Sequence, residues 1–258
     1  MIVRKLTDLL LPRHCIGCGE RLISEEKHLC LKCLIQMPRT WLWLNPEENE
    51  LAKNYWGRTG GIEVKKVVGY LSYIPDGMVS EIVKAFKYSG ASKLAYDMGR
   101  MMARELKPYG MFDDIDAIVP VPVTLMRRLS RGYNQAEWIA KGIRKETGLP
   151  IFDKVLKRTK FGTSQTHLTG YERADNVMNA FALIDRNRQM VEGKHLLIVD
   201  DVITTSATTR ACAKQFAGIP GIKVSILGFS TAQSKGFRVE PAKALKKENE
   251  EEKEINTI

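Results

Sequence analysis

A chain of 258 residues is long enough for one ordinary α/β domain with something small added to it. Hydrophobic residues at 44% and charged residues at 27% exclude wholesale disorder. The 40 Lys and Arg against 30 Asp and Glu give a formal charge of +10, which favours polyanionic partners (a phosphorylated small molecule, single-stranded DNA, RNA) without choosing among them.

The first eleven residues, MIVRKLTDLLL, break a short apolar stretch with charges, and no run of about 18 uncharged apolar residues occurs anywhere. The expectation is a cytoplasmic protein with no membrane insertion. Cys15-Ile-Gly-Cys18 and Cys30-Leu-Lys-Cys33 follow. Two such pairs let two knuckle turns bring four thiolates to one tetrahedral centre, for which zinc is the natural occupant, with redox dithiols or an iron-sulfur cluster as the alternatives. A closed shell of Cys15, Cys18, Cys30 and Cys33 leaves no open position, so the metal is expected to fold residues 1–40 rather than do chemistry. His14 and His28 stand beside a shell that is already complete. Arg13, Arg21, Lys27 and Lys32 would give the module a basic face for nucleic acid, or an ordinary solvated surface.

Residues 41–62 are rich in Trp, Asn and Gly with weak periodicity and read as a linker or flap. Val64 to Tyr73 reads as a strand, and Val79, Ile82, Val83 and Phe86 then keep helical spacing. A second helix covers Leu94 to Leu106. Asp116 to Val119 is a short strand stopped by Pro120-Val-Pro122, and Ala136, Ile139, Ala140 and Ile143 mark another helical face closed by Gly148-Leu-Pro150. The polar stretch from Arg158 to Leu168 has the composition of a flap that closes on ligand, or of a plain surface loop. Lys194 to Val199 is a buried-type strand, Thr208 to Ala217 a helix and Lys223 to Phe229 a further strand. Strands alternating with helices imply a mostly parallel sheet flanked by helices, with ligands beyond the carboxyl ends of the strands. The charged tail, residues 239–258, shows no core face and is expected to be disordered.

The strongest chemical signal is the order of parts after Val199: two acids, a small apolar step, then the hydroxyl-rich Thr204, Thr205, Ser206, Ala207 and Thr208 opening a helix. A helix N-terminus offers free N–H groups and a positive dipole end, so residues 204–208 suit a phosphate. Asp200 and Asp201 would accept hydrogen bonds from the vicinal hydroxyls of a ribose whose 5′-phosphate fills that loop, and could hold Mg²⁺ through water. The plainer alternative is turn formation and helix capping. Val121 and Pro122 follow a strand end, so with Arg127, Arg128, Arg131 and Lys87 they are candidates for a second anionic group. Tyr133, Trp138 and Phe181 are candidates to stack on a base, or core residues.

Val199-Asp-Asp-Val-Ile-Thr-Thr-Ser-Ala-Thr208 resembles the phosphoribosyl-pyrophosphate (PRPP) motif of type I phosphoribosyltransferases. The whole chain resembles the ComF (ComFC) family of competence proteins. The likeness includes the paired cysteines, Lys87-Tyr-Ser-Gly90, Val119-Pro-Val-Pro122, Arg131-Gly-Tyr-Asn-Gln-Ala136, Arg158, Gln165, Leu168, Arg173 and Asn176, and Ala180-Phe181. It implies a type I phosphoribosyltransferase-like domain over residues 63–238 behind a small N-terminal zinc-binding module. Asp200 and Asp201 would then be the catalytic pair, and Arg158, Gln165 and Arg173 would belong to a flap. The family usually has glycine where this chain has Ser206. Two functions follow from the resemblance: a PRPP-binding accessory protein of DNA uptake that contacts single-stranded DNA or a helicase partner, or an enzyme that moves ribose 5-phosphate from PRPP to an acceptor and releases pyrophosphate.

Overall fold

The computed structural model describes residues 12–87, 91–159 and 180–232. Strands buried in continuous runs build its central sheet. Four parallel strands, β1 (Val64–Tyr73), β2 (Ala117–Pro120), β5 (His195–Ile203) and β6 (Lys223–Ala232), lie in the order β1-β6-β5-β2. In β5, Leu196 and Ile198 join one apolar cluster while Leu197 and Val199 join the other, all four fully buried. A strand buried on both faces needs a layer on each side, and that is why its sequence is continuously apolar rather than alternating.

One layer comprises the helices α2 (Met78–Ala85), α3 (Ser92–Leu106) and α5 (Gln135–Thr147). α3 and α5 cross closely because glycines meet there: a Cβ on Gly99 would lie 2.3 Å from the Ile139 carbonyl oxygen, and one on Gly142 would lie 2.2 Å from that of Tyr96. The other layer holds α6 (Ala207–Lys214), through Ala211 and Cys212, with Phe216 just past its end. Most of the buried side chains of residues 42–62 pack there too, Leu42, Leu51, Ala52, Tyr55 and Ile62, while Trp43 packs in the first layer. Two short 3-10 turns, Leu42–Leu44 and Ala52–Asn54, shape this segment. Asn49 anchors it by donating to the carbonyls of Asn45 and Val67 at 2.9 and 2.8 Å, and its Oδ1 accepts from the amides of Leu51 and Ala52.

A separate antiparallel pair, β3 (Leu156–Arg158) with β4 (Phe181–Leu183), sits beside this second layer. The short exposed helix α4 (Leu125–Arg131) follows β2, with Thr124 as its N-cap. Before the sheet, the second cysteine pair opens α1 (Leu31–Ile35), with Cys30 as its N-cap and Cys33 within it. Cys15, Leu22, Leu29, Cys33 and Met37 belong to the same apolar cluster as Val79, Met98 and Met102. No helix among the described residues is long and apolar enough to cross a membrane.

Candidate phosphate site and cysteine centre

At the carboxyl ends of β2 and β5 the chain leaves a polar cavity of about 280 Å³. This is where ligands sit in open parallel sheets, since the strand ends and the loops after them face outward together. β5 runs on through the two acids to Ile203, because Asp200 stays paired with Gly228 and Val202 with Ser230. Asp200 and Asp201 therefore project from an ordered strand end, their Oδ1 atoms accepting from the amides of Asp201 and Val202 at 2.9 and 2.8 Å. Burial, with the Asp201 charge beside it, holds the Asp200 carboxyl well above the usual carboxylate range.

Lys87, Arg127, Arg131 and Arg158 meet these carboxyls in the same cavity, together with Val121, Pro122 and Thr208. Each cation has a structural reason to be there. The Phe86 carbonyl, one residue before Lys87, accepts from Tyr133 Oη at 2.5 Å and from Gln135 Nε2 at 3.0 Å. Asn134, the N-cap of α5, donates through Nδ2 to the Val121 carbonyl at 3.0 Å. Arg127 and Arg131 stand four apart on α4 and so share a face, and Arg131 donates to Gln135 Oε1 at 3.2 Å. Arg128 is turned off that face and pairs instead with Glu137 at 3.4 Å. Arg158 ends β3 and lies over the Phe181 ring, 5.1 Å from its centroid. Burial and the nearby Arg127 push the Arg158 guanidinium down, with Cys212 and Asp200 opposing.

Ser206 precedes α6 as its N-cap, and its side chain makes no capping bond. The first amides of α6 are therefore not satisfied by that hydroxyl and remain suited to an anion. Ser206 is 3% exposed and its Oγ has no partner. Thr204 and Thr205 are exposed on the adjoining loop, and Ala207 and Thr208 are half-buried. Of the three aromatic candidates, Tyr133 is buried with its hydroxyl on Phe86, Phe181 lies under Arg158, and Trp138 stacks with Lys141, whose Nζ is 4.1 Å from its ring. Gln165, His167 and Arg173, like the charged tail of 239–258, lie outside the described residues.

Sequence reasoning missed Tyr55, which backs the α6 N-terminus from the second layer, and Asn49, which holds the turn before it. Tyr55 Oη lies 2.6 Å from Thr209 Oγ1, and Arg210 Nη1 donates to the Asn54 carbonyl at 3.2 Å. Weak periodicity in residues 41–62 left no signal for either.

The four cysteines come together as their spacing predicts. Their sulfurs lie within 4.8 Å of one another, with Cys18 and Cys30 Sγ 3.7 Å apart. A tetrahedral zinc with Zn–S bonds of about 2.3 Å has edges of about 3.8 Å, so this donor set fits structural zinc. Burial raises the Cys15 thiol, but the backbone N–H groups of Cys30, Cys18 and Gly17 outweigh it and bring the thiol down to about 7. Burial and the hydrogen bonds with Cys18, Cys15 and Cys30 push the Cys33 thiol the other way, as crowding ionisable sulfurs round one point requires.

No protein-family model matches the chain. Competence protein F of Haemophilus influenzae is 24% identical over 225 residues, covering 84% of this chain and 96% of that protein. DNA utilization protein YhgH of Escherichia coli is 28% identical over 204 residues, covering 78% of this chain and 76% of that one. Among solved structures, glutamine phosphoribosylpyrophosphate amidotransferase from B. subtilis, complexed with ADP and GMP, is 20% identical. It matches with a TM-score of 0.34 over 52% of this chain and 26% of its own. The resemblance to the ComF family read from the motifs thus extends over most of the chain.

Proposed function

We propose that this chain, a relative of Competence protein F and of DNA utilization protein YhgH, binds PRPP or a related phosphoribosyl ligand within residues 63–238. We assign it an accessory role in DNA uptake, with single-stranded DNA or a helicase as the macromolecular partner. The observation that carries the ligand assignment is the convergence of two carboxyls with Lys87, Arg127, Arg131 and Arg158 in one polar cavity beside a helix N-terminus its own N-cap leaves open. A phosphoribosyl diphosphate presents that chemistry in reverse: a phosphate, a pair of hydroxyls and a second, larger anion.

In this reading the amides and hydroxyls of Thr204, Thr205, Ser206, Ala207 and Thr208 hold the 5′-phosphate. Asp200 and Asp201 accept from the ribose hydroxyls. The backbone at Val121 and Pro122 and the cations Lys87, Arg127, Arg131 and Arg158 receive the pyrophosphate. Mg²⁺, held by the carboxyls and the pyrophosphate, would neutralise charge between them. Structural zinc would occupy the four cysteines of residues 1–40. The excess of basic residues supports the DNA contact, a term that falls with salt.

Calorimetric titration of PRPP with Mg²⁺ into zinc-loaded protein tests the site. One ligand per chain should bind, and the double variant Asp200→Ala, Asp201→Ala should weaken binding by about a hundredfold. Failure of the native protein to bind PRPP would sink the assignment. Acceptor-dependent pyrophosphate release would make the protein a phosphoribosyltransferase rather than a binding protein.

A further inference from the structure

Ser206 adopts φ 61 and ψ 0, in the left-handed region. Glycine takes this conformation freely, whereas a residue with a Cβ is disfavoured there. The serine's own hydroxyl is buried and makes no hydrogen bond, although it lies close enough to the Tyr55 phenol to act on it. Something else must hold this backbone, since the amides that follow it form the phosphate cradle.

The Ser206 carbonyl accepts twice, from the Arg210 amide at 2.9 Å and from Thr209 Oγ1 at 3.2 Å. Thr209 has one proton to give, and with that proton on Ser206 its oxygen is free to accept. Tyr55 Oη is the group in place to donate, 2.6 Å away and buried. Burial pushes the Tyr55 phenol up to about 12, so it keeps its proton near neutral pH. The chain of support ends in the sheet: Asn49 holds the amides of Leu51 and Ala52 and the β1 carbonyl of Val67, and this fixes the turn that delivers Tyr55.

We infer that Tyr55 is a positioning residue which, through Thr209, sets the left-handed backbone of Ser206 and so presets the cradle for a sugar 5-phosphate. It touches no ligand itself. The identity of that ligand rests on the proposed phosphoribosyl site, but the relay from Tyr55 to Ser206 does not.

The test compares Tyr55→Phe, Ser206→Gly and the double variant. Ribose 5-phosphate and inorganic pyrophosphate are titrated separately, and amide hydrogen exchange is followed at residues 206–209. Tyr55→Phe removes one oxygen and keeps the buried ring. It should weaken ribose 5-phosphate about five- to tenfold, leave pyrophosphate unchanged, and speed amide exchange at 206–209. In the Ser206→Gly background the same substitution should have little effect on either readout, because glycine holds the conformation without the relay. A residue that merely filled the core would weaken both ligands alike, or neither, and equal losses in the two backgrounds would overturn the inference. If the native protein binds no ribose 5-phosphate, the phosphoribosyl reading fails. Hydrogen exchange in the four proteins then still decides for or against the relay.

Discussion

Asp200 shows at a single residue how a candidate binding site costs stability. An unfolded aspartate titrates near 3.9, whereas burial and the neighbouring Asp201 hold this carboxyl well above that. Between the two values the folded chain binds more protons than the unfolded one, so stability falls as pH rises through that window and the deficit is complete above the folded value. Asp200→Asn keeps the shape and removes the charge. The variant should melt a few degrees above the native protein at pH 7 to 8, and the gap should close as pH falls toward 4, which calorimetric melts across that range would show. An equal gap at all pH values would place the effect in packing instead. The acids and hydroxyls were legible because they fall together in one short stretch from Asp200 to Thr208, and the cysteines because they come as two closely spaced pairs. Tyr55 was not, since its partner Thr209 is 154 residues away and only the folded second layer brings them together.

Among the elements, α5 joins stability to the site. Its N-cap Asn134 and first residue Gln135 hold the loop after β2 and the end of α2, while its middle crosses α3 at Gly99 and Gly142. A Cβ on Gly142 would meet Tyr96 O, Arg100 N and Gly99 C at 2.2, 2.8 and 3.0 Å, all backbone atoms that cannot rotate aside. Gly142→Ala should therefore push the helices apart, lowering stability by about 1–3 kcal/mol in urea titration. It should also weaken the proposed binding of PRPP, because Val121 and the end of α2 before Lys87 lose their supports. A variant with native stability and affinity would show that the crossing is looser than these contacts require. Long periodic elements were readable from sequence: β1 spans Val64–Tyr73 as its pattern predicts, and α3 begins two residues before the predicted start at Leu94. The β3–β4 pair was not, because three residues per strand carry no period. The separation of Arg127 and Arg131 from Arg128 was implicit in helical spacing, yet which face meets the cavity was settled only by Glu137 and Gln135.

At the scale of the whole molecule, the cysteine centre is built into the main core. Cys15, Leu22, Leu29, Cys33 and Met37 pack in one apolar cluster with residues of β1, α2 and α3, and His28 Nε2 lies 3.2 Å from Asp97 on α3. The His28 imidazole is pushed below its ordinary value, burial outweighing the pull of Asp97, so near neutral pH the contact is a hydrogen bond to a neutral ring rather than an ion pair. A metal that organises part of a shared core stabilises the rest, since metal binding is coupled to the folding of its ligands. With a strong chelator, or in Cys30→Ser, the protein should unfold at a lower temperature while keeping one cooperative transition, and added zinc should restore the native midpoint to the chelated protein but not to the variant. Two resolved transitions in the calorimeter, with only the lower one sensitive to zinc, would mean that residues 12–40 fold apart from the sheet despite the contacts between them. A single transition that moves as a whole would mean that zinc, though outside the polar cavity, sets how firmly the α2 and α3 layer holds the end of α2 and Lys87 against the candidate site.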